Sequence, residues 1–297
     1  MSDLSAYPIT QKWPAQHPER LQLYSLPTPN GVKASIMLEE IGLAYEPHLV
    51  SFDTNDQLSE EFLSLNPNNK IPAILDPNGP GGKPLALFES GAILLYLAEK
   101  SGQLLAQDAA TRYETIQWLM WQMGGIGPMF GQAGWFLRSA AQPIPVAIDR
   151  FRNESLRLTA LLEARLQKHP WLAGDEYSLA DIMHFSWLRI AHYAGIDLAL
   201  FPGRRLSRLI DPDRSPHTLD AVAARYGLDG EQRHRALVRR LAANPGVQHQ
   251  RLDDLLADAV HRVERAHRLL EHGRDLVPPD RAQPRLRGAQ QIVPGVA

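Results

Sequence analysis

The 297-residue chain contains no cysteine. That removes disulfide scaffolding, thiolate metal sites and any cysteine nucleophile of its own. Thiol chemistry stays open only if the sulfur arrives on a ligand. No apolar run reaches spanning length, so nothing in the sequence points to a membrane. Lys and Arg number 31 against 33 Asp and Glu, a formal net charge of −2, and no global field recruits nucleic acid. The N-terminus lacks the charged-then-apolar pattern of an export signal, which makes the cytoplasm the expected compartment. There is no His-x-x-x-His, no glycine-rich phosphate loop after a strand and no serine nucleophile elbow, so no metal is expected.

What is present begins at Leu21–Glu40, LQLYSLPTPNGVKASIMLEE. Leu21, Leu23 and Leu26 with Tyr24 form an apolar run of strand length, stopped by the turn residues Pro27-Thr28-Pro29-Asn30-Gly31. From Val32 the period becomes that of an amphipathic helix, with Ile36, Met37 and Ile41 on it. A strand feeding a helix through a tight turn leaves free N–H groups at the helix start, a place for an anion such as a thiolate, phosphate or carboxylate. Thr28 and Asn30 add a hydroxyl and an amide there. The competing reading is that they only cap and turn the chain.

Tyr45–Phe52 reads as a second strand and Ser59–Leu65 as a short helix with Ser59 as its N-cap. Pro72, at the start of the next strand, requires a sheet edge or a cis bond. Pro77–Pro84 is a turn, Leu85–Phe88 the strand after it, and Ser90–Lys100 a helix. The order β-α-β-α-β-β-α in about eighty residues suits a compact α/β domain. After a linker the period is helical throughout. Gly124–Pro128 breaks or bends a helix begun at Thr111, and Phe151, Ser155, Leu158, Leu162 and Leu166 share one stripe of the next. The Trp and Met cluster over Trp118–Met129 reads as bundle core rather than a cofactor box. Ser178 with Asp181 three residues on is a variant capping box.

Three stretches, NNKIPAIL (Asn68–Leu75), LFESGAILLYLAEK (Leu87–Lys100) and WLAGDEYSLADI (Trp171–Ile182), occur in order and at suitable spacing. Together they resemble the glutathione transferase superfamily. The TPNG turn at Thr28–Gly31, WQMGGIGPMFGQ (Trp121–Gln132) and IPVAIDRF (Ile144–Phe151) are most similar to its bacterial nu class, glutathione transferases with disulfide-bond reductase activity. The resemblance implies a thioredoxin-like α/β N-terminal domain followed by an all-α helical C-terminal domain. Residues 1–19 are then an N-terminal extension, 20–102 the glutathione-binding domain, 103–110 a linker and 111–272 the helical domain, with 273–297 a disordered tail.

The resemblance also implies glutathione as co-substrate, one or two molecules per subunit, and a homodimer acting on small disulfides or electrophiles. Glu89 and Ser90 would take the ammonium and carboxylate of the γ-glutamyl end. Ile71, before a cis Pro72, would offer its backbone to the cysteinyl amide. Lys70 and Gln57 would reach the glycyl end, and Arg150 would lie near a second glutathione. Thr28 and Asn30 would donate to the sulfur, whose ordinary pKa of about 8.5 leaves few thiols ionised at neutral pH. Capping, for Glu89-Ser90, and ordinary solvated side chains, for Lys70 and Arg150, are the alternatives. At the level of function, the alternatives are conjugation of electrophiles and a non-catalytic binding scaffold.

The likeness runs from Leu21 to Pro202 and then breaks. An insertion over about 203–232 displaces a segment, Leu237–Val247, that resembles the family's closing helices, and Arg251–Glu271 reads as a further amphipathic helix. No lysine follows Lys168, and from Pro202 on 17 Arg face 12 Asp and Glu, a net +5 against −7 for the rest. An added docking piece, solvated helical faces in an arginine-favouring composition and a shifted reading frame all fit that change.

Overall fold

The computed structural model describes residues 4–201. The expected insertion, displaced segment, further helix and tail beyond Pro202 lie outside the described residues.

The first half is a four-stranded sheet of β1 (Leu21–Ser25), β2 (Tyr45–Leu49), β3 (Ala73–Asp76) and β4 (Leu85–Phe88) in the order β2-β1-β3-β4. β1 and β2 are parallel, joined through helix α2 (Gly31–Glu40), while β3 lies antiparallel to both β1 and β4. Pro47 sits within β2, which is tolerated because β2 is an edge strand. The Ile71–Pro72 bond is cis, just ahead of β3. Helix α3 (Glu60–Leu65) starts at Ser59, whose Oγ accepts from the Phe62 N–H at 3.3 Å. Helix α4 (Ser90–Ser101) closes the unit.

Near the N-terminus a short helix, α1 (Ile9–Lys12), lies against this domain. Leu4, Ile9 and Trp13 are buried with Tyr24, Val50 and Phe62, and the Trp13 indole donates to the Leu49 carbonyl at 3.0 Å.

The second half is helical: α5 (Ala109–Trp121), α6 (Gly127–Arg138), α7 (Pro145–Lys168) and α8 (Leu179–Leu188). α5 begins two residues before the expected Thr111, because the Asp108 carboxylate caps it by accepting from the Thr111 N–H at 2.9 Å. The break or bend expected at Gly124–Pro128 is a π-helical segment, Gln122–Ile126, through which α5 runs on into α6. Ser178 and Asp181 form the capping box of α8, and the Asp181 carboxylate also accepts from the Leu172 N–H at 3.0 Å.

α2 is not amphipathic in the structure: every residue from Gly31 to Glu39 is buried. Helices α4 and α8 pack on faces that an isolated reading would leave to water, and Leu38, Leu94, Leu179, Met183 and Phe185 share one core with β1.

Candidate functional site: a cleft between the two halves

The turn after β1 holds the first residues of the site. Gly31 is required there: a Cβ on it would stand 1.9 Å from the Leu26 carbonyl oxygen and 2.6 Å from Ser25 Oγ. The turn is closed by Thr28, whose Oγ1 accepts from the Gly31 N–H at 3.2 Å and whose carbonyl accepts from the Val32 N–H at 3.0 Å. Thr28 therefore does cap the turn. Accepting through Oγ1 leaves its hydroxyl proton free to donate elsewhere.

Asn30 is held from below. Its Oδ1 accepts from Lys33 Nζ at 2.9 Å and from the Trp187 indole N–H at 3.0 Å. With both donors on the oxygen, the exposed side chain keeps its NH2 for the cleft.

A cleft of about 620 Å³ opens here. Its first wall comes from Thr28, Asn30, Phe52, Lys70, Ile71, Pro72, Glu89 and Ser90. Its second comes from Gln122, Met123, Gly127, Pro128, Gly131, Gln132 and Trp187, all in the helical half. Glu89 precedes α4 with φ +71, a left-handed conformation unusual for a residue with a side chain, and its side chain is exposed. Ser90 follows as the first residue of α4, buried at the helix start. Thus seven of the sequence-derived site residues, Thr28, Asn30, Lys70, Ile71, Pro72, Glu89 and Ser90, are brought together on one cleft.

Gln57 and Arg150 do not line it. Gln57 lies in the turn Asp56–Leu58 with its Oε1 buried and unpartnered among the described residues. Arg150 is exposed near the start of α7. The Trp118–Met129 stretch divides: Ile126 is core and Trp118, Trp121 and Met129 pack against it, whereas Gln122 and Met123 face the cleft.

Three residues escaped the sequence reading. Lys33 is only 1 % exposed, and its Nζ also reaches Gln122 Oε1 at 2.9 Å and Ser90 Oγ at 3.4 Å. Burial pulls its pKa down to about 7, against the upward pull of Glu89. A signal existed: Lys33 shares the helical stripe of Ile36 and Met37, where a charge is out of place. Gln122 and Trp187 gave none, because they reach the site only through tertiary packing.

A fold of this kind, a thioredoxin-like sheet domain joined to a helical domain with a cleft between, defines a protein class. The glutathione S-transferase N-terminal domain model matches residues 19–99 and the glutathione S-transferase C-terminal domain model residues 132–202. The chain belongs to the glutathione S-transferase family. Among its relatives, disulfide-bond oxidoreductase YfcG of Escherichia coli is 49% identical over 183 residues, covering 61% of this chain and 85% of YfcG. Disulfide-bond oxidoreductase YghU of the same organism is 46% identical over 178 residues, 58% of this chain and 60% of YghU. A crystal structure of a glutathione transferase from Pseudomonas putida, with one glutathione disulfide bound per subunit, has a TM-score of 0.70 and 60% identity over 74% of this chain and 98% of its own. One from Burkholderia graminis, with two glutathione molecules bound per subunit, has a TM-score of 0.66 and 57% identity over 83% and 98%.

Proposed function

We propose that the protein is a glutathione-dependent disulfide-bond reductase. The observation that carries the reading is the oriented Asn30 amide beside the Thr28 hydroxyl at the start of α2, in a chain with no cysteine. Two donors and a helix N-terminus suit a sulfur anion that a ligand brings. The bound glutathione thiolate attacks the substrate disulfide, forms a mixed disulfide and releases the other half as a thiol. A second glutathione thiolate then attacks the mixed disulfide, giving glutathione disulfide and the second thiol. Two glutathiones are oxidised for each disulfide reduced, and the protein contributes position and electrostatics.

The remaining assignments follow the same ligand. Glu89 takes the γ-glutamyl ammonium, and Ser90 with the α4 N–H groups takes the carboxylate. Ile71, held by the cis bond to Pro72, presents its backbone to the cysteinyl amide, and Lys70 faces the glycyl carboxylate. Gln57 and Arg150 serve from outside the cleft wall, Arg150 toward a second glutathione. The working form is a cytoplasmic homodimer, with neither nucleic acid nor a membrane as partner.

A second reading, conjugation of glutathione to electrophiles, draws on the apolar part of the cleft, where Phe52, Met123 and Pro128 offer a surface for a carbon substrate.

Hydroxyethyl disulfide with glutathione, glutathione reductase and NADPH, run beside chlorodinitrobenzene conjugation, separates the two. NADPH consumption well above the uncatalysed rate with feeble conjugation is the expected outcome; strong conjugation without reduction selects the second reading. Asn30→Ala should lower kcat/KM for disulfide reduction about tenfold to a hundredfold, the worth of one hydrogen bond to a charged group. A variant as active as the parent would remove Asn30 from the sulfur site.

A further inference from the structure

Lys33 is a buried amine with no carboxylate in ion-pair contact. Among the described residues no Asp or Glu comes within ion-pair distance of its Nζ, which instead meets three neutral oxygens, of Asn30, Gln122 and Ser90. Leaving a buried ammonium without a counter-ion is costly. A counter-charge supplied by the ligand accounts for keeping it.

We propose that Lys33 is a positioning residue of the sulfur site: its ammonium and the Trp187 indole N–H clamp the Asn30 carbonyl oxygen, so that the amide NH2 is presented to the bound sulfur and a thiolate there gains a buried positive charge behind it. The inference rests on the glutathione reading above. The clamp joins the two halves of the protein, since Lys33 and Asn30 belong to the turn and α2 while Trp187 and Gln122 come from α8 and the π segment. The charge state of Lys33 is set by its surroundings. Burial disfavours the ammonium and brings its titration to about 7, Glu89 at the head of α4 supports it, and His184 on α8 lies close enough to feel it. Lys70 lines the same cleft with a second positive charge. A thiolate arriving above Asn30 favours the protonated form of Lys33, and protonated Lys33 favours the thiolate. The two ionisations are linked.

The test follows the ultraviolet absorbance of glutathione thiolate against pH, with full-length protein, alongside turnover of hydroxyethyl disulfide. Lys33→Met, close in shape but with neither charge nor donor, should raise the thiolate midpoint by about one unit and lower kcat/KM at pH 7 about tenfold. Trp187→Phe, which removes the other arm of the clamp and keeps the lysine, should shift the midpoint the same way by less. Because the clamp part of its effect passes through Asn30, the double variant Lys33→Met/Asn30→Ala should lose clearly less than the sum of the two single losses. An unmoved midpoint in Lys33→Met, or losses that add in full, would overturn the proposal. If Lys33→Met fails to fold, the same criterion applied to Trp187→Phe and its double variant with Asn30→Ala decides. A parent protein that ionises bound glutathione yet reduces no disulfide overturns the proposed function, and the midpoints still decide on Lys33. No glutathione binding at all overturns both.

Discussion

His184 lies on α8 with no exposure, stacked on Trp121 at 5.7 Å between ring centres. Its Nδ1 stands 2.8 Å from the Ala180 carbonyl, so Nδ1 carries the proton of the neutral ring. Nε2 has no partner among the described residues, and burial, with a contribution from Lys33, holds the pKa down to about 4. An unfolded histidine titrates near 6.5, so between those values the unfolded chain binds the extra proton. The stability is therefore present above about pH 6.5 and is lost as pH falls toward 4. His48, hydrogen-bonded to Gln22 at 2.7 Å and also held down to about 4 by burial, acts in the same direction. Asp181 opposes them, since burial raises its carboxyl to about 6 and acid favours its protonated form. The clean reading is a comparison: in urea melts, His184→Leu should lose about 2–3 kcal/mol less than the parent between pH 7 and pH 4.5. Equal losses would show that His184 is not protonated on unfolding. At this scale the turn context pointed to Thr28 and Asn30, while Glu89 and Ser90 came from the family resemblance, their local context reading only as a helix start; all four line the cleft. For Lys33 the sequence held only the faint sign of a charge on an apolar stripe, because a lysine in a helix is ordinarily on its wet face, and the packing of α4 and α8 over α2 makes this one dry.

Among the elements, α8 has its start held by a single side chain. Asp181 takes the Ser178 N–H and the Leu172 N–H at 3.0 Å each, so it closes the capping box and pins the preceding loop. Asp181→Ala should cost about 2–4 kcal/mol, the loss of a cap plus a buried N–H left unmet. Its urea midpoint should fall, with activity per folded molecule kept; an unchanged midpoint would mean the box contributes nothing. The capping box was legible because it is local, a three-residue spacing before an apolar run. Pro72 was legible as a sheet edge or a cis bond, the resemblance implied the cis form, and the bond is cis. The π segment was legible only as a disturbance: glycines at 124, 125 and 127 and Pro128 mark a weak place in a helix, but whether the chain breaks, bends or widens is decided by what packs around it.

Taken whole, residues 4–201 have two domains by sequence, yet one of their core clusters spans both. Leu23, Val32 and Leu94 of the sheet domain share a cluster with Leu119, Leu179, Ile182 and Met183 of the helical one. Met183→Ala, at a site with no exposure, should cost about 2–5 kcal/mol. Far-UV circular dichroism and tryptophan fluorescence should shift together in one transition, whereas separated transitions would show that the halves melt apart. The two-domain layout was readable from the change of period after Ser101. The Asn30–Trp187 bond was not, for its partners lie 157 residues apart and no local pattern links them. The π segment has one more consequence. It amounts to one extra residue in an otherwise α-helical rod, and a helix advances about 100° per residue. Deleting that residue would leave rod and composition nearly intact yet rotate everything after it. Pro128 and Gly131 would swing off the cleft, and the second wall would face elsewhere. The shape of the cleft is thus a matter of phase, set by a single residue of slack in a helix.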